Sequence, residues 1–225
     1  KLGVVSEILE ITAISSGREQ LIEFGRKEKV GVHDIPMKRE ISLWNDGVAL
    51  LHFIVYFSRV RPYLVHGNTP KGALLSLLAA KLVGISKRVY MCHGLRYQGT
   101  YGLMKRLLMM MEKITCQCST EVLCVSQGVR EQLEIDNICR KSKSKVILNG
   151  SANGIDMTYF NKEKIGNLLI WRSKFGIVSG NFVFSFVGRV VRDKGVNELV
   201  HAFDRLSSLY PTRFSLLFVG PEENS

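Results

Sequence analysis

The sequence predicts an α/β protein built on a Rossmann-type, doubly wound parallel sheet, followed by the start of a second domain of the same kind. Three observations carry this expectation. Short β-rich runs alternate with helical patterns from one end to the other, as in right-handed βαβ units. Several runs lead directly into a residue that starts a helix well, and a turn-rich stretch after Asn149 separates one such series from another.

In chain order the expected strands are EILEITAIS, KVGVHDIP, YLVHG, RVYMCHG, EVLCVS and KVILNG, then FVFSFVG and FSLLFVG. Apolar residues recur at spacings of three and four over 72–83, 102–118 and 127–136, which predicts helices there. The run VALLHFIVYF, residues 48–57, falls short of the ~18 residues that span a bilayer. Lys38, Arg39, Arg59 and Arg61 flank it, so a membrane-surface segment competes with a buried crossover helix, and its length favours the buried helix. Thr69 with Pro70, after YLVHGN, and Ser126, after EVLCV, are good helix starts: a hydroxyl caps orphan amides, and proline at the first position has no amide to orphan. The carboxyl ends of the strands then gather on one edge, where open α/β folds bind ligands. Ser126 and Asn149 face that edge, and capping and turn roles account for them. The expected division is an N-terminal domain over 1–160, a linker over 161–178 and the beginning of a second domain over 179–225.

The 225 residues carry 31 basic and 20 acidic side chains, a formal charge of +11, which favours an anionic partner. Aromatic residues are not interleaved with the basic ones, and no helix-turn-helix, RRM or zinc pattern occurs, so nucleic acid is not the expected partner. Cys92, Cys116, Cys118, Cys124 and Cys139 are odd in number and set in apolar surroundings; they read as reduced core residues of a cytoplasmic protein. No paired Cys/His spacing supports a metal site. No signal peptide opens the sequence.

Two lysines stand where a helix start disfavours them. The first turn of a helix carries unsatisfied amides and a positive dipole end, yet Lys71 with Gly72 follows one strand, in HGNTPKG, and Lys194 with Gly195 follows another, in GRVVRDKG. An anion docked on the amides would turn this electrostatic fault into a binding site, with glycine allowing close approach. For Lys71 a solvent-facing surface lysine explains the pattern equally well; for Lys194, with Arg189 and Arg192 beside it, charge clustering favours an anion of diphosphate size. Neither GxxxxGK[ST] nor GxGxxG is present, which removes the best support for an ATPase or a dehydrogenase.

The segment FVGRVVRDKGVNELVHAFDRL followed by FSLLFVG resembles the donor domain of retaining glycosyltransferase family four, whose fold is GT-B. Upstream, MKREIS, VHGNTPKGALLSLLAAKLVGI, HGLRY, EKITCQCSTEVLCVSQGVREQL and NGSANGIDMTYF resemble the acceptor domain of capsule-type members that act on lipid-linked sugars. The resemblance implies that Gly188, Arg189, Lys194 and Gly195 hold the donor diphosphate and that His93, in MCHGLRY, lies near the donor sugar. Thr69, Lys71 and Gly72 are then candidates for the acceptor phosphate. The implied reaction moves a sugar with retention from a nucleoside diphosphate, UDP being favoured, to an isoprenoid-diphosphate-linked sugar, without metal or other cofactor, at the anionic inner face of the cytoplasmic membrane. Against the family pattern, the sequence opens on what resembles the second strand and ends before the paired glutamates of the E-x7-E motif. The adjacent Glu222 and Glu223 cannot replace that pair, so the sequence reads as a piece truncated at both ends. A sugar-nucleotide epimerase of the same fold and a non-catalytic basic module, binding an anion or a membrane, are the alternatives.

Overall fold

The computed structural model describes residues 2–38, 40–151, 154–164, 166 and 168–221; Arg39, Glu222 and Glu223 lie outside them. The chain divides into two compact units, Lys1–Asn153 and Gly154–Ser225. The division falls ahead of residue 160, and just beyond it Asp156 Oδ1 accepts from the amides of Thr158 at 2.9 Å and Tyr159 at 3.2 Å.

The first unit runs α1 (Leu2–Val5), β1 (Thr12–Ser15), α2 (Arg18–Glu28), β2 (Gly31–Asp34), α3 (Leu43–Val60), β3 (Leu64–Gly67), α4 (Pro70–Val83), β4 (Lys87–Cys92), α5 (Gly102–Cys118), β5 (Glu121–Cys124), α6 (Gln127–Ile135) and β6 (Ser144–Val146). β1 pairs with β2, and β3, β4, β5 and β6 form a four-stranded sheet in that order; every pair is parallel. The expected strand EILEITAIS is realised only in its last four residues. Its first residues continue the turn of α1, where the amides of Ser6 and Leu9 donate to the carbonyls of Leu2 and Val5. The highly charged α2 is a helix that apolar periodicity does not single out.

α3 is longer than its apolar run and has two apolar faces. Ala49, Phe53 and Phe57, four residues apart, are buried, as expected of a crossover helix, while Val48, Leu51 and Val55 remain exposed. α4 is buried almost all round, with Ala73, Leu75, Ser76, Leu77, Ala79 and Ala80 inaccessible. It lies against α3, α5, β3 and β4, and a helix packed on so many sides loses the polar face of a surface helix. All five cysteines are buried free thiols.

The second unit contains α7 (Leu168–Lys174), β7 (Phe182–Val187), α8 (Val196–Leu209) and β8 (Phe214–Val219). β7 and β8 pair in parallel along their whole length, Phe182 opposite Phe214 and Val187 opposite Val219. Phe184 packs its ring against Phe203 of α8 and Phe214 of β8, which fixes the helix to the sheet.

One carboxyl sits inside the first core. Glu112, on α5, accepts from Tyr90 Oη at 2.7 Å and lies 3.7 Å from Cys92 Sγ. Burial holds its pKa above the ordinary glutamate range against the opposing hydrogen bonds from Tyr90 and Cys92, and burial likewise pushes the Cys92 thiol up to about 12. A carboxyl whose folded pKa is raised binds more protons in the native state than when unfolded. Its contribution to stability is therefore complete below the unfolded value, about 4.3, and declines as the pH rises through the folded value. Glu112→Gln retains an acceptor for Tyr90 and removes the titration, so the stability difference, variant minus wild type, should grow from pH 4 to pH 8 in urea unfolding; a pH-independent difference would show that the carboxyl does not titrate in the fold. Leu77→Ala, at a fully buried site on α4, should cost about 2–5 kcal/mol, whereas Leu82→Ala, 64% exposed on the same helix, should cost well under about 1 kcal/mol in the same assay.

Candidate functional site

Parallel pairing brings the carboxyl ends of β3, β4, β5 and β6 to one edge of the first unit, where Asn68, His93 and Ser126 follow the first three and exposed Ile147 and Leu148 follow β6. β3 leads through Asn68 and Thr69 into α4. Thr69 has the extended backbone of a helix cap, but its hydroxyl makes no capping bond, contrary to the expectation from sequence; a Cβ on Gly72 would lie 2.7 Å from that hydroxyl, so glycine makes room for it. Ser126 does cap, its hydroxyl accepting from Val129 N at 3.2 Å. Asn149 lies in the turn after β6, where Leu148 and Ser151 adopt left-handed backbone and Ser151 N donates to Val125 O at 2.6 Å, tying this turn to the end of β5.

His93 follows β4 directly and is exposed. The loop beyond it is pinned from below: Leu95 and Tyr97 are buried, and Tyr97 Oη donates to Asp136 Oδ2 at 2.6 Å, holding that carboxyl below its usual range. His93 and Arg96 are thereby carried on rigid chain at the edge. A second imidazole, His66, stands at the end of β3. Partial burial and the nearby charge of His93 both hold its pKa below the ordinary histidine value, so His66 is neutral at neutral pH. Sequence reasoning passed over His66 and Arg96. The signal for His66 was the repeated His-Gly pair, His66-Gly67 and His93-Gly94, closing two successive strands.

Lys71 is in the first turn of α4, as expected, but its ammonium turns inward. It meets Asp46 Oδ1 of α3 at 2.6 Å, donates to Lys38 O at 2.9 Å, and donates to Glu40 O. That Asp46 oxygen is buried and has no hydrogen bond aligned on it, so the Lys71 charge is what compensates it; Oδ2 accepts from Ser42 N at 3.1 Å, at the cap of α3. Lys71 therefore ties the first turn of α4 to the first turn of α3 and to the loop after β2. A narrow cavity of about 30 Å³ opens beside it, lined by Ile41, Pro70, Arg96, Tyr97 and Glu112 among others, and a wider one of about 240 Å³ lies over Ser16, Asp34, Lys38 and Asn45 at the ends of β1 and β2. A further hollow of about 390 Å³ lies at the opposite edge of that pair and holds none of these residues.

In the second unit β7 ends at Val187, followed by Gly188, Arg189, a 3₁₀ turn over Arg192–Lys194, and Gly195. Lys194 is not inside the helix, as the sequence suggested. Gly195, at φ 71°, is the cap of α8, and the first turn of that helix carries Glu198, the charge that its dipole favours. The strand end is unusually close to its neighbour: a Cβ on Gly220 would lie 1.8 Å from Gly188 O, and Val190 N donates to Pro221 O at 3.0 Å. Gly188, Arg189, Lys194 and Gly195 thus share the carboxyl end of β7, while Thr69, Lys71, Gly72 and His93 share that of the first unit's sheet.

The Lys71–Asp46 contact gives a quantitative expectation. A double-mutant cycle with Lys71→Ala and Asp46→Ala should return a coupling of about 1–3 kcal/mol in unfolding free energy, because either single change strands a poorly solvated charge. A coupling near zero would mean that Lys71 is spent on something other than Asp46.

Comparisons with known proteins agree with this architecture. Residues 9–151, more than half of the chain, match the family model described as Glycosyltransferase Family 4. The capsular polysaccharide biosynthesis glycosyltransferase CapM of Staphylococcus aureus is 32% identical over 195 residues, covering 87% of this chain and 50% of that protein. The UDP-Gal:alpha-D-GlcNAc-diphosphoundecaprenol alpha-1,3-galactosyltransferase of Escherichia coli is 26% identical over 157 residues, 68% of this chain and 38% of that protein. The chain thus spans half or less of the length of these curated relatives. Among solved structures, Anabaena Alr3699/HepE in complex with UDP and glucose superposes with a TM-score of 0.70 at 17% identity, over 99% of this chain and 56% of that one. The UDP-N-acetylglucosamine 2-epimerase of Rickettsia bellii superposes with a TM-score of 0.58 at 14% identity, over 92% and 54%. At such identities the superpositions establish the GT-B fold alone. By its sequence match and its fold, the chain belongs to glycosyltransferase family 4.

Proposed function

We propose that this chain provides the acceptor unit and part of the donor unit of a retaining glycosyltransferase of surface-polysaccharide synthesis, which moves a hexosyl or N-acetylhexosaminyl group from a UDP-linked donor to a lipid-diphosphate-linked sugar. The observation that carries this reading is the placement of Gly188, Arg189, Lys194 and Gly195 at the carboxyl end of β7, in a chain of this family. The names of the relatives support the two substrates: one acts in capsule synthesis, the other on a diphosphoundecaprenol-linked sugar, and the Anabaena protein binds UDP.

In the transfer the bond between the anomeric carbon and the diphosphate breaks while that to the acceptor oxygen forms. Negative charge grows on the leaving diphosphate, and Arg189 and Lys194 are the cations that neutralise it, while glycine at 188 and 195 leaves out side chains that would block approach; the amides of both glycines are donated to backbone carbonyls, so the side-chain cations carry the contact. His93 orients the donor sugar beside a neutral His66. The start of α4, at Thr69 and Gly72, receives the acceptor phosphate, and Lys71 serves that site by holding the α3 and α4 starts together. The basic excess places the protein on the cytoplasmic, anionic leaflet, each basic residue near the surface contributing about 1 kcal/mol.

The fold is shared with epimerases, so the assay must separate the two chemistries. A labelled UDP-sugar supplied without acceptor should remain unaltered at its ring carbons, and transfer should require the lipid-linked acceptor. UDP binding by titration calorimetry to the full-length protein should weaken about 10- to 100-fold in each of Arg189→Ala and Lys194→Ala, the loss of a charge-assisted contact of about 1.5–3 kcal/mol. Unchanged affinity in both variants would remove the donor-site assignment.

A further inference from the structure

α3 presents an apolar face away from the core. Trp44, Val48, Leu51 and Val55 recur at spacings of four, three and four and are 83%, 40%, 60% and 47% exposed, while the buried Ala49, Phe53 and Phe57 take the opposite side of the helix. Gly47 and Ser58 are exposed on the same outward face. A Cβ on Gly47 would meet nothing within 4 Å among the described residues, so packing inside the chain does not call for glycine there. An exposed helix interior is also where glycine costs stability relative to alanine. From Gly47 to Ser58 the helix has no lysine, arginine, aspartate or glutamate, in a chain of formal charge +11.

We infer that this face pairs with the same face of a second copy of the chain, the two α3 helices running antiparallel about a two-fold axis at Leu51. Under that symmetry each residue before Leu51 opposes the one equally far beyond it. Trp44 then lies against the partner's Ser58, Gly47 against the partner's Val55, and Leu51 against the partner's Leu51. On each helix Gly47 and Ser58 lie to one side of the line through Leu51, and Trp44, Val48 and Val55 lie to the other. An antiparallel pair sets the small side of one helix against the large side of the other and fills the space between them. A parallel pair would oppose glycine to glycine and indole to indole, leaving a void beside a clash. Charge selects the same occupant. Two strongly basic chains repel, so a close contact between them needs a face without charge, and the cores of interfaces are depleted in charged residues. Arg59, beyond the uncharged stretch, opposes the partner's Leu43, so the basic groups of the two copies do not meet. A helix that lies on anionic lipid carries lysine and arginine along its polar face, and this stretch has none.

Sedimentation velocity of the full chain should show a reversible monomer–dimer equilibrium between about 1 and 100 µM. Leu51→Asp opposes two carboxylates on the axis, and Gly47→Leu fills the space that the partner's Val55 takes. Each should raise the dimer Kd at least about tenfold with circular dichroism unchanged. Orientation is read by oxidative cross-linking, for which the native thiols are all buried. Gly47→Cys chains mixed with Val55→Cys chains should give a mixed disulfide dimer, and neither alone should cross-link. Cross-linking of each variant with itself and not with the other would mean parallel helices and overturns the inference. So does a chain that stays monomeric over the whole concentration range, or a dimer that neither Leu51→Asp nor Gly47→Leu weakens. A monomer that floats with phosphatidylglycerol vesicles, and loses this in Leu51→Asp, would make the face a lipid-binding one and equally overturns the pairing.

Discussion

Uniformly parallel strand pairing is the constraint on which the rest of this structure depends. A parallel neighbour cannot be reached by a tight turn, so every pair in both units requires a crossover, and helices provide it. Each strand then ends on the same side of its sheet and each following helix begins there. Positive helix ends, capping hydroxyls and short polar loops are concentrated at one edge without any residue being selected for function. In the first unit that edge carries His66, His93, Ser126 and Asn149; in the second it carries Gly188 and Arg189. Chemistry was added to positions that the topology had already gathered.

The two lysines that looked misplaced show how similar sequence patterns reach different physical solutions. Lys71 does sit in a helix first turn, and the unfavourable dipole is outweighed by a short contact to a buried carboxylate and two backbone carbonyls. Lys194 avoids the dipole altogether, because left-handed Gly195 ends the 3₁₀ turn and starts α8 one residue later. The first is an internal brace. The second remains at a strand end among basic neighbours, which is where an anion would be held.

The alternation of runs was enough to read the parallel α/β architecture and the order of its eight strands, though KVILNG is strand only at Lys145 and Val146. Strand length was not legible in EILEITAIS, where the amides of Ile8 and Leu9 donate to the carbonyl of Val5 and draw these apolar residues into the turn that ends α1. At the edge, the position of His93 just after β4 was legible from the strand pattern and the cap at Ser126 from its chemistry. The partner of Lys71 was not: Asp46 is 25 residues earlier on another helix, and no local spacing announces a tertiary ion pair. α3 was expected as a buried crossover helix in competition with a membrane-surface segment; it buries one apolar face and exposes another, since an apolar run of ten residues wraps the whole circumference of a helix and its composition alone does not divide the faces.

The contact between the ends of β7 and β8 has a mechanical consequence. With Gly220 pressed onto Gly188 and Val190 bonded to Pro221, the backbone on either side of Arg189 is clamped to the exit of β8. Arg189 therefore does not ride on an independent loop. Any displacement of the chain at Pro221 is delivered to the guanidinium-bearing turn through one hydrogen bond and one interstrand contact, so the exit of one strand can set where the side chain that follows its neighbour stands.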